Sequence, residues 1–127
     1  MDTSHRPLSP HLQVYRLPLT AIISVTHRMT GVCLAFGLLA MPFVLMWIAS
    51  GPEAYAAMQA VIDTFLGKLV LFGYSYALFF HLCHGIRHLF WDAGYGFEHD
   101  QLDRLVKIEL AASVGLTLLV WVFARFI

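Results

Sequence analysis

The sequence predicts an all-α membrane protein with three transmembrane helices, from its composition, its hydrophobic runs and its length. Hydrophobic residues make up 59% of the 127-residue chain and charged residues only 13%, against roughly 25% charged in soluble domains. A spanning helix needs about 20 apolar residues, so this length suits a single domain, residues 1–127, with three spans. The net charge of zero leaves no basic face for nucleic acid.

The predicted elements follow the hydrophobic pattern and the prolines. Residues 1–18 are expected to form an irregular arm, because Pro7, Pro10 and Pro18 each remove a backbone donor. Pro42 is expected to kink the first helix without ending it. The predicted spans are, in chain order, about 19–50, 64–91 and 106–126.

The segments between the spans are more polar. "PEAYAAMQAVIDTFLG" is amphipathic and too short to span, which predicts a helix lying along the membrane interface. "DAGYGFEHDQLDR", residues 92–104, is predicted to be a loop. Near the ends of the third span, the charged side chains of Lys107, Glu109 and Arg125 are expected to reach the lipid headgroups.

The distribution of lysine and arginine predicts the orientation. Six of these residues lie on the side of the N-terminus and of the second loop, and two lie on the opposite side. The positive side of a membrane protein is usually cytoplasmic. The N-terminus is therefore predicted to be cytoplasmic, with the bacterial inner membrane preferred to the mitochondrial inner membrane.

Polar residues cluster where the first span begins. Ser24, His27 and Arg28 share one broad helical face with Thr20. They could form a pocket that hydrogen-bonds an oxygen of an amphiphilic ligand. Alternatively, Arg28 anchors the topology and Ser24 bonds its own backbone.

Three histidines lie on one stripe of the second span. His81, His84 and His88 are spaced i, i+3 and i+7, and His81 is the deepest of them. An ionisable residue within a membrane is a functional hypothesis by default, so His81 is a candidate metal or haem ligand. Packing or interfacial hydrogen bonds explain His84 and His88 equally well.

The candidate haem site contains only one clear ligand. Axial histidines usually come from facing helices, yet the third span contains no histidine and the first has none at the depth of His81. Either the iron is five-coordinate, or another chain supplies the second ligand. The three helices would then form half of a haem-binding helical bundle shared with a second anchor subunit.

Two segments resemble the cytochrome b membrane-anchor subunits of succinate dehydrogenase, respiratory complex II. "RPLSPHLQVYRLPLTAIISVTHRMTG" resembles the family's N-terminal arm and first helix. "HLCHGIRHLFWDAG" resembles its pattern of a histidine, three residues, Gly-Ile-Arg-His and an aspartate. The layout of three spans extends the resemblance over the whole chain.

The resemblance implies a role for individual residues. Ser24 and Arg28 match the family's ubiquinone-site serine and arginine, and His81 matches the axial ligand of haem b. His27 and Arg28 match positions near the haem propionates. His84, His88 and Asp92 are possible secondary residues, and His84 stands where many relatives have an apolar residue.

The resemblance also implies partners and an activity. One haem b would be shared with a second membrane-anchor subunit, and the iron–sulfur and flavoprotein subunits would dock on this lipid-embedded anchor. The complex would oxidise succinate and reduce ubiquinone, within the tricarboxylic acid cycle and the aerobic respiratory chain. The alternatives are an anchor of quinol:fumarate reductase and a structural anchor without haem. A transporter is disfavoured because no inverted repeat appears.

Overall fold

The computed structural model describes residues 14–125, most of which lie in four helices. They are α1 (Leu19–Ala49), α2 (Pro52–Ile62), α3 (Phe65–Asp92) and α4 (His99–Phe123). The described residues contain no strand, which confirms the all-α prediction. Residues 1–13 of the predicted arm and Phe126 of the predicted third span lie outside the described residues.

Three of the helices are long and apolar enough to cross a membrane. They are α1, α3 and the Gln101–Phe123 part of α4. At 1.5 Å per residue, α1 is about 46 Å long and exceeds the roughly 30 Å hydrocarbon core. Its polar first turns can therefore lie at the membrane surface while the rest of the helix spans the bilayer.

The boundaries of α1 and α2 follow the local sequence. Pro18 is extended, with φ −63° and ψ 153°, and α1 begins at the next residue. The helix continues through Pro42. Gly51 adopts a φ of +125°, and Pro52 then starts α2, where its missing N–H is no loss. The predicted interfacial segment is thus a separate helix of 11 residues.

The connection between α3 and α4 is shorter than predicted. Helix α3 ends at Asp92 and α4 already begins at His99, inside the segment predicted to be a loop. The polar residues before the third apolar run form the first turns of α4. Hydropathy marks where a helix enters lipid, whereas the helix itself continues into the polar region.

The three long helices run antiparallel to their neighbours and share a small core. Ile23 of α1, Phe80 of α3 and Val106 of α4 are buried against one another. This core lies where α1 begins, α3 ends and α4 begins, which we call the polar end of the bundle. Most other large apolar side chains are exposed on the isolated chain, as expected for surfaces that face lipid or another subunit.

Candidate functional site

Four histidine rings from two helices meet at the polar end of the bundle. His27 of α1 lies at the centre of this imidazole cluster, and His81, His84 and His88 of α3 surround it. The ring centroid of His27 is 3.9 Å from that of His81, 4.2 Å from that of His84 and 5.7 Å from that of His88. The stripe predicted on the second span therefore faces α1, and His27 belongs to the same cluster.

The ring of His81 is held against α1 through one of its two nitrogens. Nδ1 of His81 lies 3.2 Å from the backbone carbonyl oxygen of His27 and 3.2 Å from Oγ1 of Thr30. The Thr30 hydroxyl donates its own hydrogen to the same carbonyl, at 2.8 Å. Both neighbours of Nδ1 therefore accept hydrogen bonds, so Nδ1 carries the proton. Nε2 of His81 is left with its lone pair.

A glycine of α1 makes room for this ring. A Cβ added at Gly31 would lie 2.9 Å from Cε1 of His81, closer than carbon atoms tolerate without a shift. One and a half turns further along, a Cβ at Gly37 would overlap the phenol ring of Tyr74. The hydroxyl of Tyr74 donates to the carbonyl of Leu34, at 3.2 Å. Two glycines on α1 thus bring it close to α3 at the depth of His81 and of Tyr74.

His84 points to the other side, into a buried charged network between α3 and α4. Its Nδ1 is 2.8 Å from Oε1 of Glu109, and Nε of Arg87 is 3.1 Å from Oε2 of the same carboxylate. The three side chains are between 1% and 4% exposed. The guanidinium of Arg87 also lies over the Trp91 ring, 4.6 Å from its centroid. This network joins the two helices through a buried ion pair.

The sequence-based prediction for Glu109 is wrong. We expected its carboxylate to reach the headgroups, but it is buried against α3, while Lys107 is exposed. Ser113 and Thr117 continue the same buried face of α4, with hydroxyls that donate to the carbonyls of Leu110 and Ser113. The spacing of four residues from Glu109 to Ser113 to Thr117 is a helical stripe that could have revealed this face.

The predicted quinone residues lie beside the cluster but outside it. Ser24 is half-buried and Arg28 is exposed, one turn apart on α1. Among the described side chains, Arg28 has no hydrogen bond and no ion pair. Asp92 is exposed at the last residue of α3. The structure therefore brings the histidines together and leaves Arg28 and Asp92 facing outwards.

Comparison with known proteins identifies the family. The family model for the "Succinate dehydrogenase/Fumarate reductase transmembrane subunit" matches residues 2–123. A succinate dehydrogenase cytochrome b556 subunit from Paracoccus denitrificans is 44% identical over 119 residues, covering 94% of this chain and 92% of the relative. The cytochrome b556 subunit from Rickettsia felis is 40% identical over 117 residues, covering 92% and 91%.

A mitochondrial relative extends the comparison beyond bacteria. The succinate dehydrogenase cytochrome b560 subunit of Dictyostelium discoideum is 31% identical over 118 residues, covering 92% of this chain and 62% of the relative. The bacterial matches, together with the three helices able to span a membrane, support a bacterial membrane protein. The resemblance inferred from the two sequence segments is confirmed, and the chain belongs to the succinate dehydrogenase/fumarate reductase transmembrane subunit family as a cytochrome b membrane subunit.

Proposed function

We propose that this chain is the anchor subunit of a succinate:ubiquinone oxidoreductase, holding haem b through His81 and contributing Ser24 and Arg28 to the ubiquinone site. The observation that carries the haem assignment is the bonding of the His81 ring. Its Nδ1 is fixed as a donor by the His27 carbonyl and the Thr30 hydroxyl. Nε2 is the nitrogen with a free lone pair, the form of imidazole that binds a metal.

The surroundings of His81 fit a haem ligand. Metal-binding histidines usually donate their second ring nitrogen to a carbonyl or carboxylate, which fixes the ring orientation. Here a backbone carbonyl of α1 has this role, and Gly31 lets the ring approach the helix. When bound, haem b would supply one-electron redox chemistry. A second anchor subunit would supply the other axial ligand, since the third span contains no histidine.

The polar groups near His81 suit the haem periphery. Propionates carry negative charge, and the exposed guanidinium of Arg28 can pair with them. His27 is adjacent, with its ring stacked on that of His81 at 3.9 Å. His84 points away towards Glu109, so it is a poorer candidate for the axial position than His81.

Ser24 and Arg28 would bind the quinone headgroup. A hydroxyl and a guanidinium one turn apart on a helix can both donate to the oxygens of one ring, and Arg28 has no competing partner among the described side chains. Ser24 would donate to a quinone carbonyl, and Arg28 would stabilise negative charge as the ring is reduced. Asp92 is a possible polar residue near the quinone, with no contact that favours a more specific role.

The partners follow from this chemistry. The flavoprotein subunit would oxidise succinate to fumarate, and the iron–sulfur subunit would deliver electrons singly to the quinone, which takes two electrons and two protons. We place this subunit in the bacterial inner membrane with a cytoplasmic N-terminus, so that the polar end of the bundle faces the soluble subunits. The relatives named above are succinate dehydrogenases, which favours this direction over quinol:fumarate reductase.

The quinone assignment is tested by separating two activities of the assembled complex. Arg28→Leu removes a charge-assisted bond worth about 1.5–3 kcal/mol, so we expect quinone reductase activity to fall about tenfold or more. Ser24→Ala removes a neutral bond of about 1 kcal/mol, and we expect a fall of about fivefold. Succinate oxidation by a soluble artificial acceptor should be unchanged in both. A parallel loss of both activities would refute a quinone-binding role.

The haem assignment is tested by absorbance of the purified complex. We expect His81→Ala to remove or shift the reduced haem b spectrum, because one axial ligand is lost. His88→Ala is the matched control, since this exposed histidine lies on the same helix and should leave the spectrum unchanged. An unchanged spectrum in His81→Ala would move the ligand to His84. A colourless wild-type complex would favour a structural anchor without haem.

A further inference from the structure

Three histidines beside the proposed haem ligand form a separate group of metal-binding geometry. His27, His84 and His88 each offer a ring nitrogen, and these atoms all lie within 4.8 Å of one another. We call them the three-histidine site. In a tetrahedral zinc site with Zn–N distances of about 2.0–2.1 Å, ligand nitrogens are about 3.3 Å apart. Small side-chain rotations would therefore suffice to bring the three nitrogens onto one ion.

The protonation of His84 favours a cation. Nδ1 of His84 is close to both Oε1 of Glu109, at 2.8 Å, and Nη2 of Arg87, at 3.0 Å. Because Glu109 is paired with Arg87, its carboxylate is ionised and can only accept. A proton on Nδ1 of His84 satisfies Oε1, whereas a lone pair there would repel it. Nδ1 is therefore protonated, and Nε2 carries the lone pair.

That lone pair has no donor. Nε2 of His84 and Nε2 of His27 are both buried without a hydrogen-bond partner, and His84 is only 1% exposed. An unpartnered buried nitrogen is costly, and a lone pair cannot be satisfied by an anion such as a propionate. A carboxylate behind a histidine is also the usual second layer of a zinc site, where it orients the ring and raises its basicity.

The remaining features of the site are compatible with a divalent ion. The positive charge of Arg87 is balanced by Glu109, so the surroundings of the three histidines carry no net charge from this pair. His88 is exposed, which gives an ion a path of entry and leaves room for water as a fourth ligand. Three neutral imidazoles and one open position suit Zn²⁺.

We propose that His27, His84 and His88 bind one divalent transition-metal ion of the Zn²⁺ class, at a site distinct from His81. Such an ion would tie α1 to α3 at the polar end of the bundle, since His27 belongs to one helix and His84 and His88 to the other. Binding to the folded state alone stabilises it by mass action. The inference does not depend on the haem or quinone assignments.

The test uses the assembled complex, freed of metal with a chelator and then equilibrated with Zn²⁺ alone. After gel filtration, we expect one Zn²⁺ more per copy of this chain in the wild type than in His88→Ala, measured by elemental analysis. Glu109→Gln should weaken Zn²⁺ binding about 10- to 100-fold, as loss of a second-layer carboxylate does. A non-specific patch of imidazoles would not respond to that change.

Two further variants exclude simpler explanations. Cys33→Ser removes an exposed thiol of α1 and should leave the Zn²⁺ content unchanged. His84→Leu should lose the ion, and if it fails to assemble, the exposed His88 still decides the result. Equal Zn²⁺ in the wild type and in His88→Ala would overturn the site. Haem absorbance on the same samples keeps this outcome separate from the proposed function.

Discussion

The two faces of α3 are packed by opposite means. Towards α1 the contact is close and nearly neutral, because Gly31 and Gly37 admit the ring of His81 and the phenol of Tyr74. Towards α4 the contact is ionic, with Arg87 and Glu109 buried at 4% exposure each. The first interface holds the proposed haem ligand by shape. The second holds His84 by charge, so failure at the two interfaces should have different consequences.

The ionic interface should give the largest effect on stability. Glu109→Leu leaves the guanidinium of Arg87 buried without its partner, and breaking a buried pair in this way costs about 3–5 kcal/mol. We expect a large drop in the unfolding temperature of the assembled complex, measured by thermal denaturation in detergent. The double variant Arg87→Met with Glu109→Leu removes both charges and should recover most of the loss. A double variant as unstable as the single one would contradict the charge explanation.

The close interface should give a smaller loss of stability but a specific loss at the haem. Gly31→Ala places a methyl group 2.9 Å from Cε1 of His81, and overpacking of this kind costs about 1–3 kcal/mol. The ring must move away from the His27 carbonyl that fixes its orientation. We expect an altered reduced haem b spectrum in a complex that still assembles.

Gly73→Ala is the matched control for that substitution. Gly73 lies on α3, and a Cβ added there meets no atom within 4 Å on this chain. Its haem spectrum should equal that of the wild type. The comparison of the two interfaces would be broken if Gly31→Ala left the spectrum unchanged, or if both substitutions altered it equally.

The same contrast explains what the sequence could and could not predict. The start of α1 was predictable because Pro18 precedes a long apolar run, and the stripe of His81, His84 and His88 was readable from its spacing. The burial of Glu109 was not predicted. Charges at the end of a hydrophobic run look alike in hydropathy, and only the docking of α4 on α3 decides which one is buried.

Two arginines show the same limit within the candidate site. Arg28 and Arg87 both border apolar runs, and both counted equally towards the predicted orientation. The structure leaves Arg28 exposed and buries Arg87 against Glu109 and Trp91. One guanidinium is thus available to a ligand, whereas the other is committed to joining helices. Sequence spacing gives the face of a helix on which a side chain lies, but the partner of that face is set by tertiary packing.

The smallest expected effect tests whether the α1–α3 contact depends on polar bonds at all. Tyr74→Phe removes the hydroxyl that donates to the Leu34 carbonyl at 3.2 Å and keeps the ring that packs on Gly37. A neutral hydrogen bond contributes about 0.5–1.5 kcal/mol, so we expect a small decrease in the unfolding temperature and no change in the haem spectrum. Tyr74→Ala, which also removes the ring, should cost more. If Tyr74→Phe were as damaging as Glu109→Leu, both faces of α3 would depend on polar bonds, and shape alone would not account for the position of His81.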